Sequence, residues 1–311
     1  MLKEIRYLLL GLVLGGVLIY FIKPEPAQKE LQTEALLPLE PVTPRLNNAV
    51  ISGYSLPEQI SFAGEEVPMG RPDVKERLDR EIQVNAFWHS NAIILIKRAN
   101  KWLPVIDSTL RANGVPADFK YLAVAESGLQ NAISPANAVG FWQFLSGTAK
   151  DFGLIVNHQV DQRYDPIKST VAAAKYFKKA HQKFGNWTMA AASYNMGMRG
   201  VSQVAKNQRA KSYYDMIVSE EPSRYVFRII AIKNLLENPA DYSFAVDSTD
   251  LYQMPASRPV SVEEDIEDWN DFAESHEMTF YELKQLNPWI RDYKMTVKKG
   301  QKFTVLVSSA E

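Results

Sequence analysis

Apolar residues recur at intervals of three and four through the central part of the chain, from residue 73 to about residue 238. This spacing places them on one face of successive helices. The residues that follow it include Val74, Leu78, Ile82, Ile167, Val171, Ala174, Phe177, Phe184, Val226, Ile229, Ile230 and Leu236. Pro116 and the pair Asp165-Pro166 suit helix starts, while Gly128, Gly185 and Gly197 suit helix ends. The pattern predicts an all-α domain of six or more short helices with almost no strand.

Composition narrows the classes of function. The 311 residues include 35 Lys and Arg and 36 Asp and Glu, which leaves a net charge of −1. A protein that binds nucleic-acid backbones needs clustered Lys and Arg, so we expect no nucleic-acid partner. The chain has no Cys and only four widely spaced His, which excludes disulfides, thiolate metal sites and a paired-His zinc motif. We therefore expect neither a metal nor a cofactor.

The first 22 residues predict an export segment. Lys3 and Arg6 precede an uncharged run at residues 7–22. This run is slightly longer than the ~7–15 residues of a signal-peptide core and shorter than the ~20 of a typical transmembrane helix. No Ala-x-Ala cleavage site follows, which favours an uncleaved membrane anchor over a cleaved signal. Positive charge before the run places the following residues outside the cytoplasm.

Proline marks the segment after this run. Residues 23–72 hold eight of the 17 prolines, and each proline fixes φ and removes an amide donor. We expect a Pro-rich linker here, followed by the helical domain at residues 73–240 and a connector at 241–259. A domain tethered in this way would meet a substrate that lies close to the membrane.

Glu126 interrupts an otherwise apolar helix face. In a helix predicted over residues 117–126, Phe119, Leu122, Ala123 and Glu126 share one face, with the carboxyl group in the final turn. Burial and the negative end of the helix dipole would both raise its pKa toward a value suited to giving up a proton. General-acid cleavage of a sugar acetal needs such a group. The pattern alone equally allows Glu126 to reach solvent beyond the last turn.

Residues 260–311 predict a compact βααβ unit. The first strand covers Val260 to Val262, and two short helices follow, the second opened by a Thr279–Glu282 capping box. A β-branched run from Phe303 to Val307 forms the last strand. The Leu-x-x-Leu-Asn-Pro run at 283–288 and the strand that follows are similar to LysM glycan-binding modules, although Glu-Glu-Asp replaces the usual Gly-Asp-Thr turn. A purely structural cap is the alternative.

Several sequence blocks occur in a fixed order along the helical domain. They are Glu-Ser-Gly at 126–128, Ser-Pro-Ala-Asn-Ala-Val-Gly-Phe-Trp-Gln-Phe at 134–144, Asp-x-Arg-x-Asp-Pro at 161–166 and Ala-Ala-Ser-Tyr-Asn-Met-Gly at 191–197. Together they resemble the lytic transglycosylase (SLT) domain family, which has a goose-type lysozyme-like fold. The resemblance covers about residues 105–237. The layout, with an export segment in front and a small module behind, is similar to the D type of membrane-bound murein transglycosylases.

The resemblance implies a reaction for Glu126. The family's single catalytic acid protonates the oxygen between N-acetylmuramic acid and N-acetylglucosamine. As a carboxylate it then takes the proton of the muramic C6 hydroxyl, which leaves a 1,6-anhydro sugar. The implied partner is the peptidoglycan glycan strand of the periplasm.

The resemblance also implies five substrate-binding residues. These are Ser134, Gln143, Tyr194, Asn195 and Tyr225. A hydroxyl and an amide can donate to oxygens where charge develops, while a phenol in the Tyr194 block can hold the acid. Other residues of the blocks are expected to be structural: Phe141, Trp142 and Phe144 as core, and Asp161, Arg163 and Asp165 as a cap and an ion pair. Asn137 stands where glycine is frequent and Phe227 where proline is common.

A second carboxylate is missing near Glu126 in the sequence. Ordinary glycosidases place two carboxyl groups about 5–9.5 Å apart, yet the next acidic residue is Asp151. The C2 acetamido group of the sugar would then stabilise the transition state. Distant carboxylates can still converge in space, so a hydrolytic muramidase and a non-catalytic cell-wall-binding scaffold remain the alternatives to a lytic transglycosylase.

Overall fold

The computed structural model describes residues 52–309. The predicted membrane anchor or signal at 1–22 and most of the predicted linker lie outside this range. Within it, no helix is both long enough and apolar enough to cross a membrane.

Seven α-helices build the larger part of the described chain. They are α1 (Pro72–Phe87), α2 (His89–Ala112), α3 (Lys120–Ser127), α4 (Ser146–Asp151), α5 (Pro166–Phe184), α6 (Trp187–Gln208) and α7 (Glu220–Glu237). Short 3₁₀ turns occur at Ala117–Phe119, Gln162–Tyr164, Tyr213–Asp215, Pro239–Tyr242 and Ser248–Asp250. The predicted mainly helical fold is confirmed.

The helix ends follow the predicted punctuation. The Asp165 carboxylate accepts hydrogen bonds from the amides of Ile167 and Lys168, each at 2.9 Å, and so caps the start of α5. Gly185 ends the same helix with a φ of 77°. Gly197, predicted as a helix end, is a non-helical residue inside α6 with φ 72° and ψ 148°, so it divides this helix at a kink. Glycine suits both positions because it has no Cβ.

Helix α3 lies at the centre of the helical domain, where it contacts α2 and α7. Its buried face joins a core that includes Phe119, Trp142, Phe177 and Ile230, each fully buried. This core holds α3 from several sides, which fixes where its final turn emerges.

Part of the expected linker packs on the helical domain. Strands β1 (Ser61–Phe62) and β2 (Glu65–Glu66) form an antiparallel hairpin, and the Phe62 side chain is fully buried in the domain core. The Glu65 carboxylate accepts a hydrogen bond of 2.9 Å from the Thr188 amide at the start of α6. The folded domain therefore begins before residue 72, because an apolar side chain and a capping carboxylate anchor the hairpin.

The C-terminal module has the predicted βααβ order. It consists of β3 (Ser257–Val262), α8 (Trp269–Glu274), α9 (Phe280–Leu286) and β4 (Phe303–Ser308), and the two strands pair antiparallel with Ser257 opposite Ser308. Both hydrogen bonds of the predicted Thr279–Glu282 capping box are present. Pro259, expected in the connector, lies inside β3, a position that proline tolerates at the free edge of a strand.

Candidate active site

Glu126 lies in the final turn of α3. The turn closes on Gly128, whose φ of 59° is left-handed and whose amide donates to the carbonyl of Val124 at 2.8 Å. The Glu126 side chain is only partly exposed. The carboxyl group therefore has protein on most sides and keeps an opening toward solvent, as the sequence pattern allowed.

The phenol of Tyr225 on α7 donates a hydrogen bond to Glu126 Oε1. Tyr225 is 3% exposed. Burial raises the pKa of Glu126 to about 7, although the Tyr225 hydrogen bond acts in the opposite direction. A carboxyl group with this pKa is protonated at neutral pH for a large part of the time and can give up its proton.

Two charged residues of α7 act on the same carboxyl group. Glu221 raises the pKa of Glu126 further through its negative charge, while the positive charge of Arg228 lowers it. Arg228 binds Glu221 through two hydrogen bonds of 2.9 Å. A second carboxylate thus lies within electrostatic range of Glu126, but it is held by an arginine.

Tyr194 on α6 supports the chain segment next to Glu126. Its hydroxyl donates to the backbone carbonyl of Trp142 at 2.6 Å. Burial, and second the charge of Glu126, raise the pKa of Tyr194 well above its usual value, so the phenol stays protonated. The phenol that holds the acid is therefore Tyr225, and Tyr194 holds the loop beside it.

Residues 131–144 form a compact loop at the site, here called the site loop. The Ser134 hydroxyl accepts a hydrogen bond of 3.0 Å from the Ala138 amide. The Gln143 amide donates to the carbonyls of Ala132 and Gly140, at 3.1 and 2.8 Å. Because both amide hydrogens of Gln143 are used inside the loop, its side-chain oxygen is the atom left for a ligand.

The remaining predicted site residue, Asn195, is exposed. Its amide makes no hydrogen bond to other residues in the range 52–309, so both its donors and its acceptor face outward. Asn137 of the site loop has a φ of 60°, which agrees with the expectation that asparagine replaces glycine in a left-handed conformation. Trp142, Phe141 and Phe144 are buried core residues, as predicted.

A buried ion pair holds the site loop from below. Arg163 binds Asp161 with its Nη2 at 2.7 Å from Oδ2, and its Nη1 donates to the carbonyls of Asn137 and Phe144, each at 3.1 Å. Arg163 and Asp161 are 9% and 6% exposed. The expected structural role of this pair is seen directly, since one guanidinium group joins both ends of the turn that contains Gly140.

Gly140 allows the close approach of these segments. It has a φ of 82°, and a Cβ at this position would lie 2.0 Å from the carbonyl oxygen of Arg163. We expect Gly140→Ala to lower the free energy of unfolding by about 2–4 kcal/mol, from backbone strain and the forced displacement of the loop. Chemical denaturation of the two proteins measures this difference.

Gly147→Ala is the matched control for Gly140→Ala. Gly147 lies in α4, and a Cβ there would meet no atom within 4 Å. Alanine is the better helix former by about 0.5–1 kcal/mol, so this variant should be as stable as the parent or slightly more stable. Equal losses in the two variants would contradict the packing described for Gly140.

Two of the charged residues at the site were missed from the sequence. Glu221 precedes Tyr225 by four positions and Arg228 follows it by three, so all three residues share one face of α7. This spacing was the available signal. It could not be connected to Glu126, because the pairing of α3 with α7 joins residues about 100 positions apart in the chain.

A helical domain that presents one partly buried carboxyl group, a tyrosine bound to it and a loop of polar side chains defines the class of lysozyme-like folds. Comparison with known proteins is consistent with it. Residues 104–217 match the family described as "Transglycosylase SLT domain". Residues 258–311 match "Soluble lytic transglycosylase C-terminal LysM-like domain". The chain thus carries an SLT transglycosylase domain followed by a LysM-like domain.

Two similar relatives come from Escherichia coli strain K12 and Escherichia coli O6:H1 strain CFT073. Both are named membrane-bound lytic murein transglycosylase D. Each is 26% identical to this chain over 215 residues, which are 65% of this chain and 47% of the relative. The chain spans about half the length of these relatives.

Proposed function

We propose that the chain is a peptidoglycan lytic transglycosylase that cleaves the β-1,4 bond between N-acetylmuramic acid and N-acetylglucosamine without water. The observation that carries this proposal is the Glu126 carboxyl group, whose pKa of about 7 follows from burial and which is bound by Tyr225. The SLT match and the two relatives support the same activity.

In the proposed reaction, Glu126 acts first as an acid and then as a base. Its proton moves to the glycosidic oxygen as the bond from this oxygen to C1 of muramic acid breaks. The C6 hydroxyl oxygen of the same sugar then bonds to C1, and its proton returns to the Glu126 carboxylate. No water is consumed, so the products are a 1,6-anhydro end and a free 4-hydroxyl group.

The environment of Glu126 suits a mechanism with one acid. Arg228 holds Glu221 through two hydrogen bonds, so this second carboxylate is neutralised and directed away from a nucleophilic role. The cationic transition state would be stabilised by the C2 acetamido group of the substrate. Ser134, Gln143, Tyr194, Asn195 and Tyr225 are proposed to bind or position the glycan around Glu126.

A hydrolytic muramidase is the second candidate, because Glu221 lies near enough to influence the pKa of Glu126. Mass spectrometry of digested sacculi distinguishes the candidates. Anhydro-muropeptides support the transglycosylase, and reducing ends one water heavier support the muramidase. No soluble product would support a non-catalytic cell-wall-binding scaffold.

The proposed location is the cell envelope, with residues 1–22 in the inner membrane and the catalytic domain in the periplasm, or a cleaved periplasmic form. The relatives are named as membrane-bound, which supports the envelope. The LysM-like module is proposed to add weak binding to the glycan. Fractionation of cells that express the tagged full chain tests this location.

The proposed acid predicts a pH dependence. Activity should fall as pH rises through about 7, because deprotonated Glu126 cannot start the reaction. Replacing Tyr225 by phenylalanine removes a hydrogen bond that lowers the Glu126 pKa. We expect this alkaline limb to move upward by about one pH unit, since hydrogen bonds to charged groups contribute about 1.5–3 kcal/mol. Rates measured from pH 5 to 9 give the limb.

Tyr121→Phe is the matched control for the change in pH dependence. Tyr121 lies on α3 and donates at 3.0 Å to the carboxylate of Glu237 on α7, so the variant loses the same kind of bond between the same helices. Its alkaline limb should stay in place. A limb that stays in place in Tyr225→Phe, or moves to lower pH, would contradict the role of Tyr225.

A further inference from the structure

The C-terminal module is joined to the helical domain by backbone pairing. Val160 and Ile290 form an antiparallel bridge. The Asp161 amide donates to the carbonyl of Trp289 at 2.9 Å, and the Arg291 amide donates to the carbonyl of Gln159 at 2.8 Å. Two backbone hydrogen bonds flanking one residue pair fix the register between the two parts.

Side chains of the helical domain also enter the core of the module. Val139, Val160 and Tyr164 belong to the same buried cluster as Trp289 and Ile290. On the outside of this junction, the guanidinium of Arg291 lies over the ring of Tyr164, 4.2 Å from its centroid. The module is therefore packed on residues 155–165, here called the bridging segment.

The opposite side of the bridging segment holds the site loop. Its residue Arg163 donates to the carbonyls of Asn137 and Phe144. The Tyr164 carbonyl accepts a hydrogen bond of 3.1 Å from the Asn131 side chain. The segment thus contacts the module through one set of groups and the site loop through another.

The site loop in turn contacts the turn that carries Glu126. The Ser127 hydroxyl donates to the carbonyl of Phe141 at 2.9 Å, and Tyr194 donates to that of Trp142. Contacts run without interruption from the module through the bridging segment and the site loop to the residue next to Glu126. Val139 belongs to both ends of this path, since it is a site-loop residue in the core of the module.

We propose that docking of the LysM-like module positions the site loop for catalysis, in addition to any binding of the cell wall. The catalytic part of this inference rests on the proposed function. Opening of the site loop requires loss of its contacts to the bridging segment, and these are stabilised by the docked module, so both would open as one unit. Weaker docking should lower kcat even on a glycan too short to represent a wall.

An engineered disulfide tests the coupling in one protein. The chain has no Cys, and Val160 and Ile290 form a non-hydrogen-bonded antiparallel pair, in which Cα atoms lie at about 4.5 Å and a disulfide can form. Val160→Cys combined with Ile290→Cys removes buried methyl groups and so weakens docking when reduced. Oxidation restores the connection without any further change of sequence.

The expected result has two parts. Oxidation should slow hydrogen exchange of the amides of Val139, Gly140 and Phe144, and raise kcat on a soluble tetrasaccharide of N-acetylglucosamine and N-acetylmuramic acid by about threefold or more, with KM little changed. Equal exchange in the site loop in both oxidation states would overturn the proposal. Failure of the disulfide to form in the folded protein would contradict the docked geometry.

Arg291→Ala provides a second and milder variant. It removes the contact with Tyr164 and keeps the backbone amide, while Lys299→Ala removes a module cation for which no contact is recorded. Faster site-loop exchange in Arg291→Ala alone supports the coupling, and equal exchange in both contradicts it. Hydrogen exchange does not depend on turnover, so absence of lyase products from the parent protein would refute the proposed function and leave the coupling testable.

Discussion

Glu126→Gln is expected to reduce the release of anhydro-muropeptides from sacculi by about 10²–10⁴-fold. Glutamine keeps the shape of the side chain and can still accept the Tyr225 hydrogen bond, but it has no proton to give to the glycosidic oxygen. Product release measured by mass spectrometry and co-sedimentation with sacculi separate the loss of chemistry from the loss of binding, which should be small.

The stability of Glu126→Gln provides a check against unfolding. The pKa of Glu126 is raised from 4.5 to about 7 in the folded chain. Below pH 4.5 the group is protonated in both states and costs nothing, whereas above about 7 its charge destabilises the fold. The variant should therefore melt at the same temperature as the parent at pH 4 and higher at pH 8.

Two further variants control the experiment on Glu126. Glu237→Gln makes the same chemical change at a carboxylate that accepts a tyrosine hydrogen bond between α3 and α7, and should leave product release within a few-fold. Glu221→Gln tests the second carboxylate. If Glu126→Gln kept full product yield, or Glu221→Gln lost it equally, the mechanism with one acid would be wrong.

Arg163→Ala is expected to lower the free energy of unfolding by about 3–5 kcal/mol, because it leaves the buried charge of Asp161 without a partner. The same change removes the donors to the carbonyls of Asn137 and Phe144. Urea denaturation measures the loss. Activity should fall with it, since the site loop would lose its support.

Arg111→Ala is the matched control for Arg163→Ala. Arg111 forms an ion pair of 2.7 Å with Asp107, but its side chain is 66% exposed, and exposed pairs contribute about 0–1 kcal/mol. Combining Arg163→Met with Asp161→Asn should recover part of the lost stability, because no unpaired charge stays buried. A loss below about 1 kcal/mol in Arg163→Ala would contradict the role of the pair.

Local sequence predicted the secondary structure well. The Asp165-Pro166 start, the Gly185 end and the Thr279–Glu282 capping box depend on neighbouring residues, and each is present in the structure. The hairpin at residues 61–66 was missed because its stability comes from Phe62 and Glu65 contacting distant helices. Proline content alone could not predict this packing.

The sequence by itself determined the helical domain, the βααβ module and Glu126 as the candidate acid, because periodicity, caps and the ordered blocks are properties of adjacent residues. Only the tertiary structure decided that Tyr225 binds Glu126, that Glu221 is neutralised by Arg228 and that the module packs on residues 155–165. These contacts join residues far apart in the chain. Their energies depend on burial and distance, which no local pattern contains.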